Sequence, residues 1–564
     1  MNPFHRNLLW GLLMIAAAQS QLAVASVWQW SVDDGGGTAG PNVRVFLWIP
    51  EDCARVRGVV FGNHNMIEQG IFEHPAMRTT LAKLGFAEAW AVPKLDHVFD
   101  PAGDGPKRFQ RVMDKLADES GYEELRTAPV VPMGHSANAT WPWNFAAWNP
   151  GRTLCVLSVH GDAPRTTLTG FGGKNPDWGD RTIDGVPGLM VMSENEWWED
   201  RLKPAITFKE KHPASPVALF ADVGRGHFDY SDQLVSYLTM FIRKSAEQRL
   251  PAEMPASFDT PPVLKPINPR EGWLIDRWHR DRSPGSPAAQ YDRYGGDRAQ
   301  AFWCFDEEMA KASESYYASA RGKKPQMVGF VQDGKTLAGE PCSPVFMPLE
   351  DGVTFRLSDR FLDNVSGEGP NPEKWAGLPN GTPLGHATGG GPITITKIVG
   401  PAHHVDGDVF AVSLDRSVSM EDRRNDDVWL LASHPGDEQY KSAVQQAKVH
   451  LTRNTNGTAQ EIRFPQITDQ KSDVKQIPLM ATSTSNLPVS YYVREGPAEV
   501  EGNLLKVTAL PPRAKWPLRV TVVAWQWGRP AIDGQPGVQT AEPVTCSFHL
   551  IHEPSAGGND QPNK

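Results

Sequence analysis

Cysteine is scarce in this chain, and the few present lack the spacing of a metal or redox site. The five, Cys53, Cys155, Cys304, Cys342 and Cys546, make no Cys-x-x-Cys pair and no Cys/His cluster with zinc spacing, which excludes a zinc ribbon or a thioredoxin-like motif. An odd total leaves at least one thiol unpaired within the chain. Cys304 and Cys342 are the candidates for a bridge in an oxidising compartment, and Cys155 sits in an apolar run and reads as a buried thiol. Positive charge is also short. A net charge of −10 and a pI near 5.9 provide no basic face for a phosphate backbone or an anionic membrane, so nucleic acid is excluded as the main partner. Beyond the N-terminus no run of about twenty apolar residues occurs, and no membrane span is expected. Neither a metal nor a cofactor is expected.

At the N-terminus, His5 and Arg6 precede an apolar run over 8–18, and Ala23-Val24-Ala25 stands before Ser26. This is the layout of a cleaved export signal, so residues 1–25 are set apart from the fold and a secreted or periplasmic location is expected.

A chain of 564 residues exceeds what one hydrophobic core usually organises, which predicts two to four domains. Short apolar runs alternate with amphipathic segments over 43–244, the signature of a mostly parallel sheet covered by helices. Strands are predicted at 43–49, 58–61, 86–92, 129–133, 154–159, 188–192 and 217–221, and helices at 75–84, 107–119, 137–148, 197–211 and 230–244. Together they make a doubly wound α/β domain spanning 26–248. Prolines at 251, 255, 261, 262, 266 and 269 mark a linker over 249–289. A mixed, mostly β module is expected over 290–463, with one helix at 299–321, strands at 325–332, 392–399 and 409–414, and a glycine-rich turn at 385–391. Runs at 488–494, 504–509 and 518–525 have the spacing of a β-sandwich over 464–550, and the polar tail 551–564 is expected to be disordered.

Chemistry concentrates in the first of these regions. A serine hydroxyl is a weak nucleophile at neutral pH, and needs a histidine to take its proton and a carboxylate to fix that histidine's tautomer. The predicted strand 129–133 runs into Gly134-His135-Ser136-Ala137-Asn138, with a helix directly after. Over roughly 40–245 this resembles the α/β-hydrolase superfamily, whose nucleophile elbow reads Gly-x-Ser-x-Gly. The departure is Asn138, where glycine is usual. The resemblance makes Ser136 the nucleophile and places the base at His227, in Gly226-His227-Phe228 after the last strand of the sheet. It sets Ser193-x-x-Glu196 over the family's Gly-x-x-Asp and so makes Glu196 the acid, with Glu194 and Asp162 as competitors.

The resemblance also implies an oxyanion hole of two backbone N–H groups. Ala137 supplies one, and Asn65 or Met66 the other, from the loop Gly62-Asn63-His64-Asn65-Met66. These asparagines equally suit ordinary turn residues, and no glycine follows His64 to complete the family's His-Gly pattern. His135 reads as pocket lining or packing. Trp141, Trp143, Trp178, Trp197 and Trp198 flank the predicted site, with Trp141 and Trp197 taken as substrate-binding platforms beside His135, against the reading of tryptophan as core packing.

No greasy lid lies between 161 and 185, which points to small acyl groups on a hydrophilic carrier. The expected activity is carboxylic-ester hydrolysis by a Ser-His-Glu triad through an acyl-enzyme, with a polysaccharide-linked ester as the substrate. The alternatives are a peptidase or polyester depolymerase using the same triad, or a polysaccharide-binding or adhesion protein on a degenerate hydrolase scaffold. Farther on, Ser485-Asn486-Leu487-Pro488-Val489 followed by Gly496-Pro497-Ala498 is similar to immunoglobulin-like repeats of bacterial secreted and surface proteins.

Overall fold

The computed structural model describes residues 27–35, 43–167, 174–195, 198–280, 282–337, 339, 341–367, 371–417, 425–532 and 534–552. The predicted leader, Glu196, Trp197 and most of the predicted tail lie outside the described residues.

An eight-stranded sheet organises the N-terminal region. Its strands are β1 (Trp30–Asp33), β2 (Arg44–Trp48), β3 (Gly58–Asn63), β4 (Phe86–Val92), β5 (Val130–His135), β6 (Val156–Val159), β7 (Gly188–Ser193) and β8 (Val217–Asp222). They lie in the order β1-β2-β4-β3-β5-β6-β7-β8. β2 runs antiparallel to both of its neighbours, and the contiguous set from β4 to β8 is parallel.

Strands buried on both faces need side chains that are apolar in either direction, and the sequence supplies them. Val59 and Phe61 feed one core with Phe109 and Val112 of the helix Gly105–Ser120 and with Phe145 of the helix Trp141–Trp148. Val60, Val131 and Met133 feed the other, with Met77 and Leu81 of the helix Pro75–Leu84 and with Leu234 and Leu238 of the helix Asp232–Arg249. Each strand of the parallel set ends at the same edge, which is where open α/β sheets carry their functional groups.

The rest of the chain is strand-rich and built from small sheets. The proline-rich stretch is no bare connector: its strand Trp273–Ile275 pairs with Ala289–Gln290 and Phe302–Cys304. That last strand occupies part of the helix predicted at 299–321, which instead runs Glu307–Ala318 behind an Asp306 cap. The Cys304–Cys342 bridge is not made, and all five cysteines are buried free thiols.

The strands Thr394–Val399, Asp427–His434 and Ala443–His450 form one antiparallel sheet. The C-terminal region pairs a four-stranded sheet around Leu518–Trp525 and Val544–Ile551 with a three-stranded sheet around Leu504–Val507. Both regions share core with the α/β domain. Leu430 and Ala447 join one of its cores, and Leu505, Val520 and Phe548 join the other. Glu495, buried at the C-terminal junction, takes Arg44 Nη1 at 3.0 Å and Thr521 Oγ1 at 2.8 Å. No helix among the described residues is long and apolar enough to cross a membrane.

Candidate active site

β5 delivers Ser136 to the functional edge of the sheet. The chain reverses there through the 3-10 turn Ser136–Asn138 before the helix Trp141–Trp148, and Ser136 holds φ at 52°. A non-glycine residue in the left-handed region is strained, and here the strain turns the hydroxyl outward from the strand. The turn closes so tightly that a Cβ at Gly134 would lie 2.0 Å from the Asn138 carbonyl oxygen. Gly134→Ala is therefore expected to cost about 1–3 kcal/mol, seen as a lower thermal midpoint.

Asn138, where the resemblance expects glycine, has a use of its own. Its Nδ2 donates to the carbonyls of His64 at 3.2 Å and Asn63 at 3.4 Å, tying the elbow to the loop after β3. The substituted position is a tether.

His227 comes from the loop after β8. Its Nε2 lies 2.6 Å from Ser136 Oγ, the contact that a general base needs with its nucleophile. Both residues are nearly covered, with 6% of Ser136 and 8% of His227 exposed. Burial, and then the charges of Arg201 and His160, hold the His227 imidazole well below its ordinary pKa. It is therefore neutral and able to accept a proton at neutral pH.

The loop that carries His227 is braced from several sides. The His227 carbonyl accepts His135 Nε2–H at 2.8 Å and His160 Nδ1–H at 3.0 Å. His160 Nε2 lies 3.0 Å from Asp222 Oδ2, at the end of β8. Tyr316, on the helix Glu307–Ala318, donates its hydroxyl to the other oxygen of Asp222. Gln446 Nε2 donates to Asp229 Oδ2 at 3.5 Å, and Phe228 packs against Trp429 with ring centroids 4.8 Å apart. A Cβ at Gly226 would approach Gln446 Nε2 to 2.3 Å, so glycine is what lets the strand Ala443–His450 come so close.

Several expected roles are corrected. Asn65 and Met66 do not aim their backbone N–H groups at Ser136, because both donate to Glu68 Oε2, at 3.1 and 2.8 Å. Glu68 Oε1 accepts the N–H of His135 at 3.1 Å. This fully buried carboxyl therefore staples the β3 loop to the elbow, and burial pushes its pKa up to about 7 against the pull of those N–H groups.

His135 does not line a pocket, since it is fully buried and spends its Nε2–H on the His227 loop. Trp141 is no platform either: it is 1% exposed, donates to the Met133 carbonyl at 3.2 Å and packs on Phe61 and Phe145. Trp143 and Trp178 are likewise core.

Of the acid candidates, Glu196 lies outside the described residues. Glu194 accepts from Arg280 Nε at 2.9 Å and from the Gly224 N–H at 2.7 Å, and lies 3.5 Å from Lys441 Nζ. Asp162 accepts the Thr140 hydroxyl at 2.7 Å. Sequence reading missed Glu68, His160 and Asp222. A signal was available for the last two, since each directly follows or ends an apolar strand run at the functional edge.

No protein-family model matches the sequence, and no curated protein matches it. Among solved structures, similarity is found to poly(aspartic acid) hydrolase-1 from Sphingomonas sp. KT-1, at 13% identity and a TM-score of 0.29, over 38% of this chain and 99% of that one. An S-formylglutathione hydrolase from Agrobacterium tumefaciens is 12% identical with a TM-score of 0.28, over 38% of this chain and 94% of its own. The poly(3-hydroxybutyrate) depolymerase LpqC from Bordetella parapertussis is also 12% identical with a TM-score of 0.28, over 41% and 94%. At such identities and scores these likenesses add nothing to the strand order and the elbow, which give an α/β-hydrolase-like architecture on their own.

Proposed function

We propose that the chain is an exported serine hydrolase that cleaves carboxylic esters through an acyl-enzyme. The observation that carries this reading is the 2.6 Å contact between Ser136 Oγ and His227 Nε2 at a strained elbow. The Ser136 hydroxyl donates toward Nε2, so the neutral imidazole carries its own proton on Nδ1. His227 takes the serine proton as Ser136 Oγ attacks the ester carbonyl, and then returns a proton to the leaving alcohol. Water, deprotonated by the same imidazole, releases the acid and restores Ser136.

Glu196 is the proposed acid that fixes the Nδ1 proton. The Ala137 N–H, near the start of the 3-10 turn and without an intrahelical partner there, is the proposed donor to the oxyanion. Glu194 suits the acid role poorly because two cations and a backbone N–H already engage it.

With Trp141, Trp143 and Trp178 in the core, the aromatic surface next to the base is the half-buried pair Phe228 and Trp429. It favours an ester with a ring on one side of the scissile bond, as in a sugar or aromatic-acid ester. We read the strand-rich C-terminal region as an immunoglobulin-like module and the exported polymer surface as its setting.

The test is to react the full chain with a fluorophosphonate and map the adduct by mass spectrometry. A single adduct on Ser136, with hydrolysis of p-nitrophenyl acetate, is the expected result. An unlabelled protein that does not turn over the ester overturns the reading.

A further inference from the structure

Hydrogen-bond roles around His160 can be assigned from acceptor chemistry alone. The His227 carbonyl oxygen only accepts, so His160 Nδ1, 3.0 Å away, carries a proton. Asp222 accepts the Tyr316 hydroxyl at one carboxylate oxygen and faces His160 Nε2 with the other at 3.0 Å. A carboxylate there requires a proton on Nε2 as well. Both ring nitrogens then donate, which makes an imidazolium with no exposed surface on either partner. By contrast His135, which donates from Nε2 to the same carbonyl, faces an amide nitrogen, Asn65 Nδ2, at 3.5 Å with its Nδ1. That ring is neutral.

We infer that His160 is a buried cation, held by Asp222, that positions the His227 loop and keeps the catalytic base unprotonated into the acidic range. This rests on His227 acting as the base of the proposed hydrolase. The ring centroids of His160 and His227 are 6.5 Å apart, so protonating His227 would set two cations side by side in a buried site.

The charged and titratable groups around the pair are consistent with this arrangement. Asp222 at the end of β8 and Asp229 in the loop after it act on His160, the Tyr316 hydroxyl of the helix Glu307–Ala318 bonds Asp222, and Arg225 lies near both carboxylates. Arg201 donates to the His160 carbonyl at 3.2 Å and adds a second positive charge near His227, while His135 stands 5.3 Å from the His227 ring. Burial pulls the His160 pKa down, but the hydrogen bond and charge of Asp222, the charge of Asp229 and the His227 carbonyl together raise it.

Asp222→Asn separates charge from geometry. The amide retains an oxygen for Tyr316 and offers its NH2 to a bare Nε2, so every hydrogen bond survives while His160 becomes neutral. The rate of fluorophosphonate labelling at Ser136, followed from pH 4 to 9, reads the protonation of His227 without a known substrate. The acid limb of that profile should move up by about 0.5–1 pH unit in Asp222→Asn, less than one unit charge at this range would give, because the carboxylate's attraction is removed together with the cation's repulsion, while the plateau stays within about tenfold.

A limb that does not move overturns the proposal. In the wild-type chain, two-bond 15N–1H spectra of labelled histidine should show His160 protonated at both nitrogens at neutral pH, assigned by the signal missing from His160→Gln. One bare nitrogen overturns it, and this decides the matter even where Asp222→Asn fails to fold. Absence of labelling at every pH in both proteins instead retires the hydrolase reading, with the spectra still reporting the charge.

Discussion

Turnover of p-nitrophenyl acetate by Ser136→Ala or His227→Gln is expected to fall by about 10⁴–10⁶-fold, with fluorophosphonate labelling lost in the first and slowed by a similar factor in the second. The reasoning is that the two groups act as one unit across their 2.6 Å contact. Without the imidazole, the Ser136 hydroxyl loses the acceptor that lies 2.6 Å from its oxygen. Without the hydroxyl, the imidazole has nothing to activate. The double variant should accordingly be no slower than the worse single one, because the second change removes a group already idle. Multiplying losses would mean that the two act separately. Thermal midpoints of the single variants should stay near the parent value, since neither substitution opens a large cavity or strands a charge.

The second large effect concerns stability. Glu194→Ala is expected to cost about 3–5 kcal/mol, the usual loss when one member of a buried ion pair is removed. Glu194 and Lys441 side chains are each 3% exposed, and Arg280 is 25% exposed on the other side. The substitution takes the carboxylate away from both cations and from the Gly224 N–H, undoing a junction between β7, the proline-rich stretch and the strand-rich region.

The pH dependence of this contribution follows from its sign. Burial would raise the Glu194 pKa, but Lys441, Arg280 and the Gly224 N–H outweigh it and leave it below the ordinary 4.5. Its folded pKa is thus depressed. The stabilisation is present above about 4.5 and disappears as the pH falls through the folded value. Denaturant midpoints of parent and variant should therefore differ widely at pH 7 and converge in acid. A constant gap across that range would show that packing, and not charge, carries the loss.

How much of this could be read from the chain depended on whether the signal was local. β4 was legible to the residue, because 86–92 is an apolar run broken only by Glu88 and set between Gly85 and Pro93, and so was the helix Pro75–Leu84, which starts on proline and stops at Gly85. The elbow was legible because strand, serine and helix are contiguous. β1 was not, because four residues reading Trp-Ser-Val-Asp on a sheet edge have no run to detect. The strand Phe302–Cys304 was absorbed into a predicted helix, since its partner Trp273–Ile275 lies far away in sequence.

The site divides in the same manner. Ser136 and His227 stand in sequence contexts that advertise them. Glu68, His160 and Asp222 are single polar residues whose meaning comes from partners more than sixty positions away. Trp141 misled for a related reason: closeness to Ser136 in sequence says nothing about which face of the helix an indole occupies, and this one faces Phe61 and Phe145.

The bracing of the His227 loop by Tyr316, Trp429 and Gln446 has a consequence for the order in which the molecule comes into being. A ribosome that has released everything through Arg249 has already made Ser136 and His227. It has not yet made the hydroxyl, the indole or the amide that hold the His227 loop in place. The ordering of that loop therefore comes late in synthesis, and a chain stopped at Arg249 carries Ser136 and His227 without these braces.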